Sequence, residues 1–72
     1  NRSIMITEQG SKKEISTFMR GPLKSDLFES NGVYGCDYYR DGVLVLTEMY
    51  EGKSVHYAQA AAENYVDGIK QV

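Results

Sequence analysis

The sequence predicts an α+β domain: an antiparallel β-meander of four to five strands with one C-terminal α-helix packed on one face. Three observations predict it. Short segments of alternating apolar and polar residues are separated by two-residue turn signals, Asn31-Gly32 and Asp41-Gly42. The segments on either side of Asp41-Gly42, VYGCDYYR and VLVLTEMY, are rich in β-branched and aromatic residues. The period then changes: Ala58, Ala61, Ala62, Tyr65, Val66 and Ile69 recur at threes and fours, the spacing of one helical face.

The elements follow in order. RSIMITE, residues 2–8, alternates as a strand does, QGSK reads as a turn, and KEISTFMR, residues 13–20, alternates again. A hairpin with Glu8 opposite Lys13 puts Ile4, Ile6, Ile15, Thr17 and Met19 on one face. Gly21-Pro22 breaks the run. LKSDLFES is open to two readings. Pro22 suits the first position of a short helix with Leu23 and Leu27 four apart, whereas Asn31-Gly32 asks for a strand before it; the expectation is a short strand, Leu27–Ser30. The Asp41-Gly42 loop sets Arg40 opposite Val43, Tyr38 opposite Val45, Cys36 opposite Thr47 and Tyr34 opposite Met49. Ser54 is an N-cap, the helix is expected over Val55–Asp67, and Gly68 is its C′ residue.

Seventy-two residues make a single domain, 1–72. A chain this short buries only about 60% of the surface its unfolded form exposes, so a disulfide, a metal or a partner often supports it. One cysteine, Cys36, forms no internal disulfide, and one histidine, His56, anchors no Cys/His zinc site. A second chain is what remains. The net charge of −2, with scattered lysines and arginines, argues against a phosphate-tracking surface. No apolar run approaches the roughly 20 residues of a membrane span, and no signal peptide is evident. A lone free cysteine fits a reducing, cytoplasmic compartment. The chain opens on Asn1 rather than methionine, as one lacking leading residues would.

The hairpin around Asp41-Gly42 has two greasy faces. The first carries Tyr34, Cys36, Tyr38, Val43, Val45 and Met49, and is assigned to the core under the helix. The second holds Val33, Tyr39, Leu44, Leu46 and Tyr50. One helix shields one face, and an apolar patch of this size on a monomer marks an interaction site. The expectation is a homo-oligomer, or a complex with a protein partner, formed through these five residues. The alternative is that the first hairpin folds over them as a small sandwich.

The residues able to carry chemistry are few. Asp37 and Glu48 fall on one face of adjacent strands in this register, a spacing that serves acid–base work, but lone carboxylates in strands more often blunt sheet pairing. Cys36 and His56 are the makings of a thiolate–imidazole pair without an oxyanion loop or a third member. The tyrosines at 34, 38, 39, 50, 57 and 65 suit base stacking only with basic neighbours, and Asp37, Asp41, Glu48 and Glu51 outnumber Arg40 here. No phosphate loop or metal-ligand spacing occurs. No catalytic residue, metal or cofactor is expected, and the chain is read as a binding domain rather than an enzyme.

Two resemblances add to this. GKSVHYAQAAAENYV, following a β-hairpin, resembles the end of a double-stranded RNA-binding domain, with Ser54, Ala58, Ala61 and Ala62 at that family's spacing. The family's phosphate-binding lysines directly follow the serine, where this chain has Val55 and His56, and its N-terminal helix is replaced here by a hairpin. The resemblance implies a nucleic-acid-binding module as the alternative function, with no RNA-contacting residue carried over. YGCDYYRDG, EMYEGKSVHYA and AAENYVDGIK together resemble small uncharacterised proteins of marine cyanobacteria and their phages, over residues 29–70. That resemblance implies an intracellular or phage-encoded protein, and no activity.

Overall fold

The computed structural model describes residues 12–72. Strands β1 (Lys12–Arg20), β2 (Leu23–Ser30), β3 (Val33–Arg40) and β4 (Val43–Tyr50) form one antiparallel sheet in the order β1-β2-β3-β4, and helix α1 (Val55–Val66) packs across it. The α+β meander with a C-terminal helix is therefore the observed fold. The expected strand over residues 2–8, and its pairing with 13–20, lie outside the described residues.

Two-residue turns set the registers. Asn31, Gly32, Asp41 and Gly42 all have positive φ, as a type I′ turn requires at both central positions. Gly21 also has positive φ (59°) while Pro22 is held negative by its ring, the pattern of a II′ turn. Gly21-Pro22 therefore joins two strands rather than ending one. This corrects the expectation for LKSDLFES: it is strand throughout, Leu23–Ser30, neither a helix nor a strand starting at Leu27.

The helix follows its signals. Ser54 accepts a hydrogen bond from the Tyr57 amide, and Gly68 takes φ 82° just beyond the C-cap Asp67. Helix α1 is one residue shorter than expected, and the chain turns away at Gly68, so Ile69 leaves the apolar stripe and stands exposed. Ala58 and Ala62 are fully buried against Leu27, Cys36, Tyr38, Tyr65 and Val66, which form the core. Such small side chains let the helix backbone approach the sheet. The Ser25 hydroxyl then donates to the Ala62 carbonyl at 2.8 Å, and the Cys36 thiol to the Ala58 carbonyl at 3.3 Å. Each satisfies a polar group that burial would otherwise leave costly. Tyr65 donates to the Tyr39 carbonyl, tying the helix end to β3.

The expected register in β4 is corrected by a bulge. Arg40 faces Val43 and Tyr39 faces Leu44, but Tyr38 faces Leu46, leaving Val45 as an extra residue. A one-residue slip moves everything beyond it to the other face. Leu46, Glu48 and Tyr50 thus join Tyr38, Cys36 and Tyr34 on the helix side, while Thr47 and Met49 pair with Asp37 and Gly35 on the side away from the helix, open among the described residues. Helix α1 packs on β2, β3 and β1 and leaves β4 beside it. Val43, Val45 and Met49, expected in the core, are therefore exposed.

Candidate functional site

Strand β4 is the feature that stands out. It is an edge of the sheet, with no strand beyond it among the described residues. Val43, Leu44, Val45, Leu46 and Met49 are between 38% and 63% exposed. They lie on both sides: Leu44 and Met49 on the open face, Val43, Val45 and Leu46 on the helix face. The opposite edge among the described residues is different. Strand β1 carries Lys12, Lys13, Glu14 and Arg20 and has its own bulge at Ile15, the usual means of keeping an edge from pairing.

Of the five residues expected at the contact, Val33 and Tyr39 lie half-buried on the open face, and Leu44 lies exposed beside Tyr39. Leu46 and Tyr50 lie on the helix face. The five are not one coplanar patch: they flank β3 and β4 from two sides.

On the helix side, a hollow of about 300 Å³ is lined by Tyr57, Ala60, Ala61, Asn64 and Lys70. A chain of hydrogen bonds runs beside it. The Tyr50 hydroxyl donates to Glu48 Oε1 at 2.7 Å, so the bond between the Tyr38 and Tyr50 hydroxyls takes its proton from Tyr38. Lys70 Nζ lies 3.2 Å from Glu48 Oε1. The Tyr50 bond, then Lys70, hold the Glu48 carboxyl below its ordinary value. Burial drives the Tyr38 and Tyr50 phenols upward. Both stay protonated, and the chain is a structural link between core and surface. A second, smaller hollow of about 100 Å³ sits where Val45 meets the C-terminal residues Lys70, Gln71 and Val72.

The centre of the open face is polar. Asp26 and Asp37 face each other across β2 and β3, only 9% and 6% exposed. Like charges directly opposite repel, and each carboxylate is correspondingly well supplied with donors. Thr17 donates to Asp26 at 2.8 Å, Thr47 donates to Asp37 at 2.6 Å, and Lys12 reaches Asp37 at 2.9 Å across the Phe28 ring. The ion pair with Asp37 raises the Lys12 amine above its ordinary value. Lys24 lies 3.9 Å from Asp26 and over the Tyr39 ring. A strand expected only from Leu27 leaves Asp26 outside it, so the sequence pattern does not single this residue out. The Asn31-Gly32 turn carried the signal, since pairing Ser30 with Val33 leads back to Asp26 opposite Asp37.

The other candidates are not brought together. Asp37 and Glu48 lie on opposite faces, because of the bulge. Cys36 is buried with its thiol on a backbone carbonyl, and burial raises its pKa, while His56 is exposed at the start of α1. Among the described residues, no group of three or more histidine, cysteine, aspartate or glutamate side chains is placed to hold a metal ion. No helix among them is long and apolar enough to cross a membrane. Comparison with protein-family models, curated proteins and solved structures finds no match.

Proposed function

We propose that this domain works by binding, and that its first partner is a second copy of itself, met through β4, with Leu44, Leu46 and Tyr50 on that strand and Val33 and Tyr39 beside it on β3. One observation carries the reading: five large apolar side chains stand roughly half exposed on a single edge strand. Fully burying each is worth about 1.5–3 kcal/mol, so the half still open on two copies amounts to roughly 8–15 kcal/mol. The cost of association is about 4–15 kcal/mol. The two ranges overlap, so the net is small and the complex these side chains support is a weak one. A buried, free Cys36 suits an intracellular protein.

The nucleic-acid alternative has less support. Lys12, Lys24, Lys70 and Arg20 each lie within 4 Å of a carboxylate, which neutralises much of the charge a phosphate backbone would need.

Sedimentation velocity on the protein and on the double variant Leu44→Glu/Leu46→Glu tests the reading. The parent sediments as a mixture shifting with concentration, and the variant as a single slow species with an unchanged circular dichroism spectrum. Identical sedimentation of the two defeats the proposal. Retention on heparin at low salt, lost as salt rises, would turn the choice toward nucleic acid.

A further inference from the structure

The self-association reading leaves open how two copies meet, and the exposed residues narrow it. Packing on the open face covers Leu44 and Met49 but leaves Val43, Val45 and Leu46 in water; packing on the helix face does the reverse. An element that continues the sheet past β4 flanks both sets at once. It must be a strand that is itself apolar on both faces. Among the described strands β4 answers that description, and the charged, bulged β1 does not.

Resting on that reading, we propose that two copies join edge to edge along β4, antiparallel, about a two-fold axis at the Val45–Leu46 bulge. The bulge dictates this register. Centring the pair on Leu46 alone would set Leu44, on the open face, against Glu48, on the helix face. Centring it on the bulge keeps every side chain on its own side, with Leu44 opposite Thr47 and Val43 opposite Glu48 of the other copy. The product is one continuous sheet with both helices on the same face. At about 4.8 Å between strands, the helices stand on the order of 20 Å apart, too far to touch. The space between them receives Val45 and Leu46 from each copy and lies next to the exposed Val72 beside Val45.

The test is a cysteine placed on the axis. Val45→Cys and, on the far edge, Met19→Cys are oxidised mildly and run on a non-reducing gel, after light scattering and circular dichroism on each. Native Cys36 is buried and serves as the silent background. The proposal expects Val45→Cys to cross-link to a covalent dimer about tenfold or more faster than Met19→Cys, because the axis holds the two thiols at disulfide distance. Dimers by light scattering without faster cross-linking at position 45 overturn the edge pairing and leave self-association standing. Monomers overturn both. Mixed cross-links between the two variants would mean β4 meeting β1 head to tail, which also overturns the symmetric pairing. If Val45→Cys fails to fold, Leu46→Cys on the other side of the same bulge gives the same reading.

Discussion

Replacing Gly35 with alanine tests the register of the sheet most sharply. Gly35 sits in the middle of β3, opposite Phe28 on one side and Met49 on the other. A Cβ built there would lie 2.8 Å from Met49 Sδ, 2.8 Å from Phe28 Cζ and 2.9 Å from the Glu48 carbonyl oxygen. Met49 is partly exposed and can swing aside. Phe28 is buried and held under Lys12. The Glu48 carbonyl belongs to the β3–β4 ladder and moves only if the strand moves. Overpacking of this kind costs about 1–3 kcal/mol, offset by about 0.5–1 kcal/mol from the smaller entropy of the unfolded alanine chain. The net expectation is a loss of about 1–2 kcal/mol, or a fall in Tm of roughly 5–15 °C for a domain of this size. Thermal and urea denaturation followed by circular dichroism measure it. Adding Met49→Ala should return part of the loss, since the two residues share the site. A Gly35→Ala protein as stable as its parent would mean that Phe28 and Met49 do not cross over Gly35, and that the bulge at Val45 is misplaced.

Further outcomes follow from the same structure. Tyr50→Phe removes the acceptor of the Tyr38 hydroxyl and should cost about 1–3 kcal/mol in urea denaturation, because Tyr38 is left with a buried unpaired group. The Glu48 carboxyl is held below its unfolded value of 4.5, so its contribution is present above that pH and is lost as pH falls through the folded value. Glu48→Gln should flatten the acid limb of the stability curve, and an unchanged limb would remove the Tyr50–Glu48–Lys70 link from the account. Lys12 is raised above 10.5, so its contribution is present below that pH and fades as pH rises through the folded value; Lys12→Met should flatten the alkaline limb. Cys36 should react slowly with a thiol reagent in the native protein and fully in denaturant; rapid native labelling would show that α1 does not cover β3 as described.

Much of this fold was legible because its turns and caps use residues with few alternatives. Asn31-Gly32 and Asp41-Gly42 fill positions that demand positive φ, and Ser54 and Gly68 bracket the helix. Gly21-Pro22 read as a breaker, because proline usually stops an element; only the pairing of a positive-φ glycine with a fixed-φ proline identifies the turn. The bulge was hidden for a different reason. In VLVL every residue is apolar, so no polar side chain marks where the alternation slips, and the slip exchanged the faces of Leu46, Thr47, Glu48, Met49 and Tyr50. The five expected contact residues share one face only in a regular ladder, which is why the bulge divides them between two sides. The acidic pair at Asp26 and Asp37 escaped because it becomes visible only once β2 runs its full length.

On the proposal above, the apolar surface of β4 is covered by another copy of the chain. Light scattering over concentrations from roughly ten micromolar to one millimolar measures this directly, the range in which a weak complex of this kind assembles. The expected mean mass climbs from near 8.1 kDa toward twice that value. A mass fixed at 8.1 kDa across the whole range would contradict it.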